Sequence, residues 1–268
     1  MFKTKKLFTG VLTVAMIASM GTMAFANDLT ANESKAKIDT SALSVSGDAG
    51  HVSKSALSEA DIQAILNGKS NKLSSRSNIQ DNSVIEKLSA LSQSKVARSA
   101  SSGGALGVKV FTQERNYYCG PATVKQTLHY INGYSSSQNT IANAIGTTSA
   151  GSDLEPMVEY INDNKDYGST YVIISQPSKS KILRMVEYAV DHETPVVCRL
   201  RFKRTGNWEY KTNGHFLNAN GYNSYGDEIL LTDPNIKNVR PSAGGSYWVT
   251  LTELYNATND HFAQEMAY

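Results

Sequence analysis

The order of the hydrophobic repeats constrains the fold of this chain more than any other feature of its sequence. Between residues 119 and 191 apolar side chains mostly recur at the spacing of amphipathic helices, and beyond residue 195 they form the shorter runs typical of strands. Helices are predicted at 120–132, 137–145, 153–164 and 181–191, and strands at 108–111, 171–174, 195–202, 214–222, 228–232 and 247–249. Helices followed by adjacent strands predict an α+β domain with an antiparallel sheet.

A change in composition near residue 107 divides the chain. Residues 27–106 are rich in Ser, Ala, Asn, Lys and Asp and contain no Phe, Trp or Tyr, whereas aromatic residues are frequent in 107–268. We assign 107–268 to one globular domain of about 160 residues. Helical patterns at 58–66 and 82–91 interrupt the first region, and a Ser/Gly-rich linker is predicted at 98–107. We interpret 27–106 as a low-complexity pro-segment or tether, and a disordered stalk without a regulatory role is the alternative.

Residues 1–26 have the three parts of a secretory signal peptide. They begin with three lysines, continue with an apolar run and end in the small-x-small sequence Ala-Phe-Ala at 24–26. An uncleaved membrane anchor is the alternative, because the apolar run is almost long enough to span a bilayer. If the signal peptide is cleaved, we expect the protein to be secreted or associated with the cell wall of a bacterium. We expect no further membrane span.

The balance of charge argues against binding to nucleic acid. The chain has 26 basic and 24 acidic residues, and without the three lysines of the signal 23 basic residues remain. Proteins that bind phosphate backbones carry clustered basic residues, and no such cluster occurs in the rest of the sequence. The sequence also lacks closely spaced metal-ligating His and Cys and a Gly-rich phosphate loop. We therefore predict no nucleic-acid partner, no metal and no cofactor.

Two cysteines, Cys119 and Cys198, are present. In an exported protein they could form a disulfide. Cys198, however, lies in the predicted strand 195–202, where a free cysteine behaves as a small apolar residue. A single bridge also adds little to a domain with a core of this size. We therefore expect both thiols to be free.

Cys119 has the placement of a catalytic thiol. It directly precedes a predicted helix, and helix N-termini stabilise thiolates through unpaired backbone amides and the helix dipole. Gly120 leaves the approach to the sulfur open, and Pro121 suits the first turn of the helix. A buried cysteine with a purely structural role at the helix start is the alternative.

A thiol nucleophile needs a base, and His215 is the best candidate among five histidines. His51 lies in the first region and His261 near the end of the chain, where we expect fraying. His192 ends a predicted helix, and His129 lies about 15 Å along the helix from Cys119. His215 begins the predicted strand 214–222, although a lone strand histidine is more often structural.

The residue that orients the base is predicted from the topology. A hairpin between strands 214–222 and 228–232 brings the end of the second strand beside the start of the first, which places Asp233 near His215. An Asx-type turn at Asp233 is the alternative. Gln113, six residues before Cys119, can supply a side-chain amide for a developing oxyanion. A solvated glutamine is the alternative for that position.

Three motifs carry a resemblance to a known family. They are Gln-x5-Cys-Gly-Pro-Ala at 113–122, Gly-His-Phe followed by Gly-Tyr within 214–222, and Leu-Leu-Thr-Asp-Pro at 230–234. In this order they resemble the papain-like peptidases related to bacteriocin-leader peptidases, the family numbered thirty-nine among cysteine peptidases. The resemblance covers residue 108 to the end of the chain. It implies a papain-like fold, in which a helical subdomain packs on an antiparallel sheet.

The resemblance also implies roles for four residues and a class of substrate. These would be a nucleophile, a general base and acid, an orienting carboxylate and an oxyanion donor, namely Cys119, His215, Asp233 and Gln113. The partner would be a peptide or protein substrate. The transporter-fused members of the family cleave after a double glycine, whereas this chain has the pattern of an exported protein.

Residues 57–68 resemble the leader sequences that such peptidases cut. The leader pattern Leu-Ser-x-x-Glu-Leu-x-x-Ile-x-Gly-Gly matches here in part, with Asn67 in place of the first Gly. A second double glycine occurs at 103–104. We hypothesise that the first region docks in the active site as an internal pseudo-substrate. An ordinary amphipathic helix at 57–68 is the alternative.

The sequence thus predicts a secreted cysteine peptidase and leaves two alternatives. A transglutaminase-like acyl transferase or an amidase can use the same Cys-His-Asp arrangement. A catalytically silent, secreted binding domain on the same fold would need none of these residues.

Overall fold

The longest strand, Lys211–Tyr222, is the axis of a mostly antiparallel sheet. In the computed structural model the strands are β1 Ser44–Ser46, β2 Gly104–Ala105, β3 Ile173–Ser175, β4 Val196–Phe202, β5 Lys211–Tyr222, β6 Glu228–Thr232, β7 Ser246–Thr250 and β8 Glu265–Ala267. Six of them follow the order β3-β8-β4-β5-β6-β7, and β1 and β2 pair with β5 beside this path. Because β5 pairs with four other strands, it positions every residue attached to its ends.

Seven helices lie around the sheet within the part of the chain that the structure describes. They are α1 Glu59–Leu66, α2 Asn82–Ser92, α3 Cys119–Asn132, α4 Gln138–Ala144, α5 Leu154–Asn164, α6 Lys179–Asp191 and α7 Leu251–Asp260. The structure describes residues 44–69, 82–93, 103–235 and 245–268. The predicted signal at 1–26 and the first half of the predicted linker at 98–107 lie outside these ranges. No helix within them is long and apolar enough to cross a membrane.

The predicted helices and the strands from 171 onward are confirmed, with shifts of one to three residues at their ends. Capping explains several boundaries. Ser137 and Ser178 accept hydrogen bonds from backbone amides of the first turns of α4 and α6. Thr250 and Glu253 form a capping box at the start of α7. Gly133 adopts a left-handed conformation (φ 78°) that ends α3.

Two predictions about local structure are wrong. Residues 108–111 form no strand, and the nearby strand is instead β2, which pairs with the far end of β5. The end of the chain is not frayed, because β8 lies between β3 and β4 and His261 is fully buried. Asp153 is the N-cap residue of α5, but its carboxylate binds the backbone N–H and the ring of His51 and not an amide of the helix.

Apolar residues form two clusters. One cluster joins the sheet to α1, α2, α6 and α7 and contains Cys198. The other joins it to α3, α4 and α5 and contains Cys119 and Phe216. The helical subdomain that carries Cys119 therefore packs on the sheet that carries His215, and the α+β, papain-like fold class is confirmed.

The first described segment, 44–69, crosses the molecule before α1. Its strand β1 pairs in parallel with the start of β5, Asp48 forms a bridge with Ser152, and Leu57 forms a bridge with Ile174. The segment then enters α1, whose Ile62 and Ile65 are buried in the first cluster. The region that we interpreted as a pro-segment or tether thus contributes ordered backbone and core residues in its described part.

Helix α2 is bound into the same core. Val84, Leu88 and Leu91 are buried in it, with at most 3% of their surface exposed. Lys87 is fully buried, and its Nζ donates to the carbonyl oxygens of Thr170 and Tyr268. Fully burying a charged lysine requires partners of this kind, so α2 has a defined seat on the sheet.

The burial of α2 predicts a large loss of stability on truncation of one core residue. Leu88 is 0% exposed, whereas Ile85 on the same helix is 36% exposed. We expect Leu88→Ala to lower the free energy of unfolding by about 2–5 kcal/mol, since it leaves a cavity. Ile85→Ala serves as the matched control and should cost about 1 kcal/mol or less. Urea denaturation of both variants measures this, and equal losses would contradict a core position for α2.

Candidate active site

Cys119 is the first residue of α3, and its side chain is fully buried. The first-turn backbone amides of a helix have no partners within the helix, so they present partial positive charge to a thiol at this position. Gly120 allows the loop before α5 to pack against the helix start, because a Cβ atom there would overlap the side chain of Ser152. The start of α3, the Ser152 loop and the start of β5 together form the walls of a cleft.

His215 and Asp233 form the pair predicted from the hairpin. Asn218 of β5 lies opposite Thr232 of β6, so Asp233 follows directly beside the start of β5. His215 Nε2 lies 2.8 Å from Asp233 Oδ1, and both side chains are fully buried. The predicted proximity is confirmed. Since Nε2 faces the carboxylate, Nδ1 is the ring nitrogen left for the thiol.

Asp233 is held by four donors. Its Oδ1 accepts from His215 Nε2 and from the backbone N–H of Asn235 (2.8 Å), and its Oδ2 accepts from the hydroxyls of Tyr210 (2.7 Å) and Tyr247 (2.9 Å). The sequence analysis missed both tyrosines. Tyr247 could have been suggested by its place on a strand next to β6, but no sequence signal connects Tyr210 to the site.

The three groups shift one another's titration. Burial by itself lowers the pKa of His215, but the negative charges of Asp233 and of the Cys119 thiolate outweigh burial and raise the pKa to about 10. Burial raises the pKa of Asp233, but His215 and its hydrogen-bond donors outweigh burial and lower it below 3.8. Nδ1 of His215 makes no hydrogen bond of regular geometry with any described residue, so Cys119 acts on the imidazole chiefly through its nearby charge.

Neither Cys198 nor the other histidines compete for this role. Both cysteines are free, so the expected absence of a disulfide is confirmed. Cys198 lies in β4 within the apolar cluster opposite to that of Cys119, and burial raises its thiol pKa far above 9.0. His192 caps the end of α6 and stacks on Tyr188. His129 packs edge-on against Phe111.

Gln113 lies in the loop before Cys119 but does not present a spare amide hydrogen to the cleft. Its Nε2 donates to the carbonyl oxygens of Arg115 and Asn116, both at 3.0 Å, and its backbone N–H donates to Pro234 O at 2.9 Å. The side chain is 7% exposed. The loop therefore ties Gln113 both to the approach of α3 and to the residue after Asp233.

Residues 47–49 of the first segment fill the cleft. The Gly47 N–H donates to Gly214 O (3.0 Å), the Ser152 N–H donates to Gly47 O (2.9 Å), and the Ala49 N–H donates to Ser152 O (2.9 Å). A Cβ atom on Gly47 would overlap Cys119 Sγ, so the backbone at Gly47 lies directly on the thiol. This cover is why Cys119 is buried.

The first region does dock at the thiol, but not through the residues that the pseudo-substrate hypothesis named. Residues 57–68, which resemble a leader, form the bridge to β3 and then α1, and Ile62 and Ile65 pack in the sheet core. Gly104, from the second double glycine, belongs to β2. The residue that lies on the thiol is Gly47, within Gly-Asp-Ala at 47–49, and no sequence motif indicated it.

Comparisons with known proteins agree with the motifs. Residues 105–265, more than half of the chain, match the model of the Peptidase_C39 like family. No curated protein matches the sequence significantly. The family match ends close to β8, so it includes the helical subdomain and the sheet but not β1, α1 or α2.

Several solved structures are similar at low identity. The peptidase domain of Streptococcus ComA, a bi-functional ABC transporter, is 13% identical, with a TM-score of 0.39, 60% of this chain and 96% of that chain covered. A Carica candamarcensis cysteine protease is 11% identical, with a TM-score of 0.44 and coverage of 63% and 97%. Procathepsin L 3 of Tenebrio molitor is 12% identical, with a TM-score of 0.44 and coverage of 65% and 71%. The family assignment therefore rests on the family model.

The charge of Asp233 predicts how His215 titrates. In Asp233→Asn the carboxylate that contributes most to raising the His215 pKa is lost while burial and Cys119 remain, so we expect that pKa to fall from its value of about 10. Chemical shifts of the imidazole across a pH series measure this, with Asp163→Asn, at an exposed aspartate, as the control. An unchanged titration in Asp233→Asn would contradict the coupling.

The raised pKa of His215 also makes the stability of the fold depend on pH in a defined direction. His215 binds its proton more tightly in the folded than in the unfolded chain, so its stabilising contribution is complete below about pH 6.5 and is lost as the pH rises through about 10. Asp233→Asn should flatten this alkaline loss in urea denaturation, whereas Asp163→Asn should leave it in place.

Proposed function

This chain belongs to the Peptidase_C39 like family of cysteine peptidases, and from that membership we propose that it hydrolyses peptide bonds with Cys119 as the nucleophile. His215 acts as general base and acid, and Asp233 orients the imidazole and stabilises its protonated form. The observation that carries this assignment is the buried His215–Asp233 contact of 2.8 Å at the cleft that ends on Cys119.

The proposed reaction follows from which ring nitrogen is available. His215 Nδ1 takes the thiol proton, and the thiolate attacks the substrate carbonyl carbon to form a tetrahedral intermediate. The imidazolium then gives its proton to the leaving amine as the carbon–nitrogen bond breaks, which leaves an acyl-thioester on Cys119. A water molecule, deprotonated by His215, attacks the thioester and releases the acid and the thiol. Asp233 keeps Nε2 engaged throughout, so Nδ1 faces the thiol at each step.

We place the oxyanion at the backbone N–H of Cys119 and the side-chain amide of Gln113. The helix start supplies the first donor. For the second, the substrate oxygen must replace Arg115 O or Asn116 O as an acceptor of the Gln113 amide. The carbonyl of Gly47 instead accepts from Ser152, outside this pair of donors. The docked segment therefore lies in the cleft as an inhibitor and not as a peptide poised for attack.

We further propose that the protein is exported as a latent enzyme. The signal pattern at 1–26 supports export, and the burial of Cys119 under Gly47 supports latency. In this proposal the pro-segment is the strand and turn at 44–51, while α1 and α2 serve the core of the enzyme. Displacement of 44–51 opens the cleft to a peptide or protein substrate.

If Cys119 is the nucleophile, its substitution should abolish peptide cleavage, and substitution of Cys198 should not. Once 44–51 has been displaced, Cys119→Ala should abolish cleavage of a quenched fluorescent peptide library, with a loss of at least about 10³-fold. Cys198→Ala should retain cleavage and instead lower the free energy of unfolding, because Cys198 is buried in the apolar cluster. Mass spectrometry of the products measures both. Cleavage that persists in Cys119→Ala would contradict a Cys119-dependent peptidase, and failure of Cys119 in the reduced wild type with 44–51 displaced to react with iodoacetamide near neutral pH would favour a silent domain.

The contact at Gly47 predicts an activating substitution. Gly47→Ala puts a methyl group into Cys119 Sγ, so we expect the segment to leave the cleft and iodoacetamide to alkylate Cys119 at least about tenfold faster than in the wild type. Gly107→Ala is the matched control, because a Cβ atom at Gly107 meets nothing within 4 Å. Equal alkylation rates of the two variants would show that the segment does not guard the thiol.

A further inference from the structure

A buried cluster of charged residues surrounds Asp48, the residue that follows the glycine on the thiol. Asp48, directly after Gly47, has a side chain that is only 3% exposed, and Arg199, His261 and Glu265 around it are fully buried. The proposed hydrolysis uses none of these four residues. Burying charge in this way is costly unless the partners are matched, so the arrangement calls for an explanation.

The guanidinium of Arg199 has three hydrogen-bond partners, and one of them is the backbone carbonyl oxygen of His51, which accepts from Nη1 at 2.7 Å. Nη1 donates to Glu265 Oε2 at 2.8 Å, and Glu265 belongs to β8 of the enzyme. The other edge is directed to the segment, with Nε donating to Asp48 Oδ2 at 2.6 Å and Nη2 donating to Asp48 Oδ1 at 2.5 Å. This is the two-point geometry with which arginine selects a carboxylate.

His261 completes the recognition of the Asp48 carboxylate. Its Nδ1 accepts a hydrogen bond from the Ala263 backbone N–H at 3.2 Å, so its ring proton is on Nε2. Nε2 lies 2.6 Å from Asp48 Oδ2, a close contact with the carboxylate that lacks regular hydrogen-bond geometry. Gly214 provides the space for this side chain, because a Cβ atom there would lie 2.6 Å from Asp48 Cβ. The Asp48 carboxylate keeps its charge, since Arg199 and His261 outweigh burial and lower its pKa to about 2.

We propose that Arg199 and His261 form a subsite for an acidic side chain, and that substrates of this peptidase carry Asp or Glu directly after the residue that lies on Cys119. Arg199, His261 and Glu265 lie within the part of the chain that matches the family model, whereas Asp48 lies outside it. When the segment leaves, Glu265 still neutralises Nη1, and the Nε/Nη2 edge faces the cleft without its carboxylate. A peptide with a glycine on the thiol and an acidic residue next to it restores every contact made by Gly47 and Asp48. This inference rests on the proposed function for the cleavage step but not for the binding step.

The binding test uses the full chain with its own segment displaced. In Gly47→Ala/Asp48→Asn with Cys119→Ser, whose hydroxyl keeps an atom in the path of the added methyl group, two fluorescent peptides are compared by anisotropy, one with the sequence of residues 44–51 and one with Asn in place of Asp48. We expect the acidic peptide to bind about 10- to 100-fold more tightly, as for a desolvated, two-point arginine–carboxylate pair. In the added variant Arg199→Lys, which keeps the charge that Glu265 requires, this preference should shrink to about threefold or less. Equal binding of both peptides would overturn the subsite.

Cleavage of a quenched fluorescent peptide library, and not of the inhibitory sequence 44–51, separates the two proposals. With Cys119 present, a preference of about tenfold or more for Asp or Glu over Asn or Gln directly after the residue that lies on Cys119 supports both proposals. Cleavage without any preference overturns the subsite and supports the peptidase. Acid-selective binding without cleavage of any peptide supports the subsite and overturns the peptidase.

A second measurement does not depend on added peptide. In the otherwise native chain, Asp48→Asn should speed alkylation of Cys119 at least about tenfold, because the segment loses its anchor in the subsite, and the exposed control Asp163→Asn should not. Equal rates in the two variants would overturn the assignment of Asp48 as the occupant.

Discussion

The buried contact between His215 and Asp233 is the interaction on which the site depends. An imidazolium and a carboxylate without water are stable only when their remaining hydrogen-bonding groups are satisfied. Asp233 meets this condition through Tyr210, Tyr247 and the backbone of Asn235, which reach it from three different parts of the chain. The hairpin of β5 and β6, the strand β7 and the loop after Asp233 must therefore all be in place before the imidazole is oriented.

Strand β5, which carries His215, also receives the segment that covers the thiol. Gly214 accepts the N–H of Gly47 through its carbonyl, and its missing side chain leaves space for Asp48. On the other side of the cleft Gly151 adopts φ 109°, and a Cβ atom there would overlap the Gly47 carbonyl. The cleft is thus narrow enough for a peptide backbone because glycines line it on both walls, and the segment that fills it also has a glycine at the narrowest point.

Much of the fold could be predicted from the sequence because it rests on local signals. Helix periodicity, serine caps and the capping box at Thr250 are encoded within a few residues, and the hairpin between 223 and 227 placed Asp233 beside His215. Tyr210 and the Arg199–Asp48 pair could not be predicted, because their partners are 23 and 151 residues away and the contacts depend on how strands pack. Low apolar content led us to interpret the first region as a tether, yet a few apolar residues at helical spacing suffice for α1 and α2 to dock on a core built by the rest of the chain.

The first segment is bound at two places, the cleft and the sheet, so the part in the cleft can be removed without the part on the sheet. Residues 47–49 are held in the cleft by backbone bonds and by Asp48. The part that is bonded to the sheet begins at Ser53, which donates to Glu265 of β8, and continues at Leu57, which is hydrogen-bonded to β3. A cut in the stretch between them would release the strand on the thiol and leave α1 and α2 seated. If the latent form is activated by such a cut, the strand over Cys119 is removed and the helices of the core are kept. The active form would then still carry α1 and α2, which lie outside the part of the chain that matches the family model.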